Sequence, residues 1–173
     1  MSFLTNRQQQ VKSQGKLSKL KPSRIGVPQG TILGPLLWNV FVNDLKPNTN
    51  HIKYADDTTL YNTVRLGDVE ISDSTALRAI ISFTQKPLQE AASYAAAWCD
   101  SNEMLLNTTK SMCISFTLQN HPTVEPIDIN GCEIEQKEEV KLLGVTFDSH
   151  MKFSAHVDNI IRRTKLAFHA ISG

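Results

Sequence analysis

Residues 51-HIKYADDTTLY-61 set two aspartates, Asp56 and Asp57, between two runs of strand formers. Ile52 and Tyr54 alternate with Lys53, and Thr58, Thr59, Leu60 and Tyr61 favour extended backbone. The pattern predicts strand, tight turn, strand, with the acidic pair at or beside the turn. Adjacent carboxylates repel, and aspartate is a poor strand former. Two arrangements reward such a pair. In an Asx-type turn the side chains bond their own backbone. In a cation site, hard Mg²⁺ takes a few carboxylates together with substrate phosphates. Two such metals, roughly 3.5–4 Å apart, activate an attacking oxygen and stabilise the leaving one in phosphoryl transfer.

Upstream lies 26-GVPQGTILGP-35, three glycines and two prolines in one loop. Glycine allows positive φ and close approach of backbone to a ligand, and proline stiffens the loop. Its backbone N–H groups are available to phosphates or bases. Pro35 suits the first turn of a helix. Apolar residues at 36, 37, 40, 41 and 45 then mark one helical face, which Pro47 ends. Residues 1–24 read as a helix end followed by an extended connection or loose hairpin. A long helical region follows the acidic pair, with Ser74 as a cap and Pro87 dividing it in two. Leu88, Ala91, Ala92, Ala95, Trp98 and Cys99 form its apolar stripe, so Trp98 is read as core rather than as a base-stacking residue. A strand is expected through Met112, Ile114 and Phe116. Asn130-Gly131 inside 127-IDINGCEIE-135 signals a hairpin. Residues 140-VKLLGVTFD-148 read as a strand bent at Gly144, and 153–171 as an amphipathic helix. The sum is an α+β fold, antiparallel strands with helices on one face.

Apolar residues make up 40% of the chain and charged residues 20%, which excludes a disordered tail and a membrane protein. No apolar run reaches membrane-spanning length. Three cysteines without a CxxC pair point to reduced thiols in an intracellular protein, away from disulfides and zinc. Charge is distributed unevenly. Residues 1–43 hold six bases and no acid, 54–148 hold fifteen acids and six bases, and 149–173 hold four bases and one acid. Two basic ends around an acidic middle suit a polyanion held at its edges over a cation-binding centre. A flexible basic arm and a solvated helix face would give the same distribution.

The ordered run GVPQGTILGPLLWNVFVNDL, YADD, LLN-x-x-KS and LLGV-x-FD resembles the reverse transcriptase domain of non-LTR retrotransposons, the jockey-like and related elements. The resemblance covers nearly the whole chain. It implies an RNA-directed DNA polymerase that uses Mg²⁺ or Mn²⁺, an RNA template, a DNA primer and deoxynucleoside triphosphates, with no membrane. A nuclear location rests on the resemblance alone. By position, Asp56 and Asp57 match the catalytic, metal-binding carboxylates of the palm. Tyr54 and Ala55 complete that motif beside the primer end. Pro28, Gln29 and Gly30 match the loop that meets the incoming nucleotide and the template base. Lys110 matches a lysine that acts as general acid to the departing pyrophosphate. Leu143 and Gly144 match the primer-grip hairpin, and Arg162, Arg163 and Lys165 lie where the thumb helix meets backbone phosphates. The implied layout is a partial right-hand polymerase palm over 1–148 and the start of a thumb over 149–173.

One departure stands against this match. The family's palm uses a further carboxylate on a strand before the glycine loop, and no acid precedes Asp44 here. The fingers are not matched either. The chain is therefore expected to be a fragment that does not polymerise alone. An unpaired sheet edge beside the hairpin would favour oligomers or aggregation, unless residues 1–24 cover it. The alternative readings are a non-catalytic nucleic-acid-binding retroelement remnant and a fragment with no selected role.

Overall fold

The structure is a computed structural model that describes residues 4–23, 26–64, 74–116 and 124–172. In chain order the elements are β1 (Gln8–Gln9), β2 (Lys12–Ser13), β3 (Lys16–Leu17), β4 (Lys21–Pro22), α1 (Leu33–Phe41), β5 (Asn50–Tyr54) and β6 (Asp57–Tyr61). Then come α2 (Ser74–Ser101), β7 (Ile127–Ile129), β8 (Cys132–Ile134), β9 (Glu139–Leu142), β10 (Val145–Asp148) and α3 (Ser154–Ser172). The mixture of helices and small antiparallel ladders is α+β. A single sheet backed by helices is not what the described residues form. Their strands pair in twos: β1 with β4, β2 with β3, β5 with β6, β7 with β8, and β9 with β10. Each strand is two to five residues long and is used up by its own hairpin partner.

Chain contacts divide the protein into two units. The first comprises Met1–Lys46 and Lys53–Thr58. Here the expected loose hairpin is present: Gln8 opposes Pro22, and Lys12 opposes Leu17 around a turn in which Gln14 and Gly15 both have positive φ. These strands pair with one another. The first residues of the expected N-terminal helix end lie outside the described residues, and 4–6 are bends. Pro35 does sit in the first turn of α1, which closes in a 3₁₀ turn over Val42–Asp44.

The second unit comprises Pro47–Ile52 and Thr59–Gly173. Its core joins Ala92 and Ala96 of α2 to Ile127, Ile129 and Ile134, flanked by Leu60, Leu88 and Cys113. Small residues on the helix let β7 approach closely. The Gln89 amide then acts as an extra strand position, donating to Asp128 O and accepting from Asp128 N, both at 2.8 Å. Trp98 is buried, as its place in the stripe predicts.

The break expected at Pro87 is absent, and α2 runs through it. Proline removes one helical N–H, a defect costing about 3 kcal/mol. Neighbouring side chains pair with the backbone carbonyls before it: Thr84 Oγ1 donates to Ile80 O and Ile81 O, and Asn62 Nδ2 donates to Thr84 O at 3.1 Å. The buried stripe that follows Pro87 holds the helix together. The expected cap, the side chain of Ser74, lies outside the described residues.

Two further expectations are corrected downstream. The strand through Met112–Phe116 is replaced by a 3₁₀ turn at Thr108–Lys110 and one parallel bridge, Cys113 to Gln136. Thr117 and Leu118 of that run lie outside the described residues. The stretch around Gly144 is a complete hairpin, with Val145 opposite Leu142 and Asp148 opposite Glu139. Leu143 (φ 49°) and Gly144 (φ 88°) both take the left-handed conformation of a two-residue turn, as do Asn130 and Gly131 between β7 and β8. No described helix is long and apolar enough to cross a membrane.

Candidate active-site hairpin and nucleic-acid-facing residues

Asp56 and Asp57 lie where the sequence places them. Tyr54 ends β5, Ala55 and Asp56 make the turn, and Asp57 opens β6. A two-residue connection between paired strands makes them antiparallel. All four residues of the motif are exposed, so both carboxylates present oxygens outward. Ala55 takes φ 50°, a conformation its Cβ disfavours.

Three hydrogen bonds with α1 and the turn after it hold this hairpin end. The Lys53 ammonium donates to Val42 O at 2.7 Å and Leu45 O at 2.9 Å, closing off carbonyls beyond the helix end. The Trp38 indole N–H donates to Ala55 O at 2.6 Å. Trp38 also stacks obliquely on Phe41, ring centroids 5.8 Å apart.

The glycine loop belongs to the same unit. Thr31 Oγ1 donates to Pro28 O at 2.9 Å and accepts from Gly34 N at 3.1 Å. Gly34 is the position where this packing excludes a side chain: a Cβ there would lie 3.0 Å from Pro28 O. Gln29 and Gly30 form an exposed turn, with Gly30 at φ 73°. Arg7 donates to Gly26 O and ties the N-terminal hairpin to the loop.

The remaining sequence-predicted residues fall in the second unit. Lys110 closes the 3₁₀ turn, with its N–H donating to Asn107 Oδ1 at 3.2 Å and its side chain exposed. Leu143 is half exposed at a hairpin tip, at 56%. Arg162, Arg163 and Lys165 are exposed on α3. At about 100° per residue these three share one side of the helix with the exposed Leu166, and Val157, Ile160, Ile161 and Phe168 cover the other.

Asp148 is the residue that reasoning from sequence passed over. Its Oδ1 accepts from His150 N at 3.1 Å and Lys152 N at 3.0 Å, and its Oδ2 accepts from Phe153 N at 2.6 Å. The Lys152 bond leads in holding this carboxyl below its ordinary value of 3.8. The loop it closes contains Met151 and Phe153 at positive φ. Thr146 N donates to His156 Nδ1 at 3.3 Å, and Phe147 meets Phe153 edge-on at 5.6 Å. The β9–β10 hairpin and α3 are therefore joined through a built corner. Its sequence signal is the Asp that ends LLGV-x-FD just before a helix.

The oxygen donors of Asp56 and Asp57 suit a hard divalent cation in type. They are too few to enclose one, and among the described residues no group of three His, Cys, Asp or Glu side chains could hold a metal.

The described residues thus hold a paired-carboxylate turn, a glycine–proline loop before a helix and a downstream hairpin, and the match to known proteins gives the class. Residues 2–147 match the family of reverse transcriptases (RNA-dependent DNA polymerases), and the chain belongs to that family. Among curated relatives it is 32% identical over 164 residues to a probable RNA-directed DNA polymerase from transposon BS of Drosophila melanogaster, covering 94% of this chain and 18% of that protein. It is 32% identical over 169 residues to the RNA-directed DNA polymerase from mobile element jockey of the same fly, covering 96% and 18%. A putative 115 kDa protein in the type-1 retrotransposable element R1DM is 26% identical over 168 residues, covering 94% and 15%. The chain thus spans less than a fifth of the length of these relatives. No solved structure matches it significantly.

Proposed function

We propose that this chain supplies the metal-holding hairpin and part of the template–primer grip of an RNA-directed DNA polymerase, with 1–148 as partial palm and 149–173 as the start of the thumb. The observation that carries the reading is the exposed pair Asp56–Asp57 on a tight hairpin turn, within a region that matches reverse transcriptases. Asp56 and Asp57 would hold Mg²⁺ or Mn²⁺, with Asp56 the stronger ligand. The bound cation would lower the charge cost of 3′-hydroxyl attack and pyrophosphate departure.

The chain's own groups do the rest. The loop Pro28, Gln29 and Gly30 meets the incoming deoxynucleoside triphosphate and the template base, with Gln29 and Gly30 supplying backbone N–H groups and Pro28 stiffening the turn. Tyr54 and Ala55 border the primer end. Lys110 donates a proton to the leaving pyrophosphate. The apolar tip at Leu143–Gly144 presses on the primer, and Arg162, Arg163 and Lys165 pair with backbone phosphates. Such catalysis is mostly positioning and charge stabilisation.

Because two carboxylates do not complete the coordination, the 173-residue chain alone should not extend a DNA primer on an RNA template. Fused behind an upstream segment of the jockey polymerase, it should incorporate nucleotide, and Asp56→Ala should abolish that. Incorporation by the unfused chain that Asp56→Ala removes would show that the two carboxylates suffice. Incorporation by the fusion that survives Asp56→Ala would remove the hairpin from the mechanism.

A further inference from the structure

We propose that Trp38 is a positioning residue for the carboxylate-bearing turn: its indole N–H holds the strained Ala55 peptide in place and so fixes where Asp56 and Asp57 present their oxygens. The inference rests on the metal-holding reading of that pair. Ala55 has φ 50°, while Asp56 is not among the residues with positive φ. A two-residue turn with positive φ at its first position alone is a site where glycine is the usual occupant. Alanine there needs outside support. In such a turn the first carbonyl points out of the hairpin and is free of the strand ladder. The Trp38 N–H reaches it at 2.6 Å.

The support comes from a firm base. Trp38 is half-buried on α1, with Phe41 against its ring. The neighbouring Lys53 contacts to Val42 O and Leu45 O fix the adjoining strand to the residues that follow α1. Lys53 sets where the strand runs, and Trp38 sets the rotation of the peptide that leads into Asp56. The aromatic ring alone could not do this, because a phenyl group has no N–H to donate.

The test uses the full chain and Mn²⁺ as probe, read by electron paramagnetic resonance. Trp38→Phe should weaken Mn²⁺ binding roughly ten-fold, the lower end for loss of an outer partner of a metal ligand. Adding Ala55→Gly to Trp38→Phe should restore most of the affinity, because glycine takes positive φ without a tether. A loss of helix packing would not be repaired at residue 55. Where Mn²⁺ binding depends on Asp56, wild-type affinity in Trp38→Phe, or failure of Ala55→Gly to restore it, overturns the proposal.

Asp56→Ala serves as the separate check on the metal reading. Should Mn²⁺ binding not depend on Asp56, the metal reading fails on its own. The positioning role is then decided by amide exchange: the N–H of Asp57, which opens β6, should exchange roughly ten-fold faster in Trp38→Phe, as a local opening made easier. Unchanged exchange would overturn it.

Discussion

Asp148 illustrates how a single side chain can set the path of the chain between two elements. Three backbone N–H groups converge on its carboxylate, and they favour the charged form. Its folded-state pKa is lowered, with the Lys152 bond first among the causes. The stabilisation is therefore complete above the ordinary value of 3.8 and is lost as pH falls through the lower folded value. Asp148→Asn should lower the melting temperature at neutral pH, and the gap to wild type should close in acid. A gap that persists at pH 2 would assign the effect to shape rather than charge. The cysteines offer a second residue-level test. Burial pushes the Cys113 thiol up, and burial followed by the charge of Asp100 does the same for Cys99, while Cys132 is exposed. Maleimide should label Cys132 fastest in the native chain, the half-buried Cys113 more slowly, and Cys99 only on unfolding. Rapid native labelling of Cys99 would contradict the α2–β7 core. Trp38 and Asp148 were not legible in the sequence as working residues. Trp38 fell outside the apolar face at 36, 37, 40, 41 and 45 and Asp148 read as the last letter of a motif, because periodicity carries no information about which backbone group a side chain will find.

Hairpins were legible where turn chemistry was explicit. Asn130-Gly131 supplies both left-handed positions without strain, and the turn formed as read. At Leu143-Gly144 leucine hides the same turn, since it is not a turn residue while the backbone demands φ 49°. The acidic hairpin was readable from its flanking strand formers, although not the positive φ at Ala55. Helix α2 shows the opposite error: Pro87 is a strong local breaker, overruled by the buried stripe that follows it. The strained tip of the β9–β10 hairpin gives an element-scale prediction. Leu143→Asn should raise stability by roughly 0.5–1 kcal/mol, because asparagine tolerates the left-handed conformation that leucine resists. The same change should weaken primer–template binding if Leu143 presses on the primer. Denaturant unfolding and duplex binding measured on one variant separate the two effects. A variant that loses stability would show that Leu143 packs rather than strains.

Across the whole molecule, charge rather than shape was the more legible property. The basic ends and acidic middle follow directly from the sequence, while pairing of strands in twos and the division into two units did not. Strand order depends on contacts between distant segments, which no local pattern encodes. The charge layout makes a quantitative prediction about nucleic acid. Arg162, Arg163 and Lys165 are exposed over an arc of about 160° on α3, and the proposed thumb role has all three meeting phosphates. Each phosphate neutralised releases a counterion, and log K falls with log salt by about 0.9 per contact on B-form duplex. Replacing the three by glutamine should weaken binding to an RNA–DNA primer–template and make the slope shallower by roughly two to three. Lys12, Lys16, Lys19 and Lys21, all exposed on the N-terminal hairpin, provide the comparison. If that arm also grips the duplex, its own glutamine variants should reduce the slope further and additively. Should the α3 variant keep the wild-type slope, the helix does not touch the backbone, and the thumb assignment of 149–173 loses its electrostatic support. The measurement needs no catalysis, so it stands whether or not the chain can polymerise.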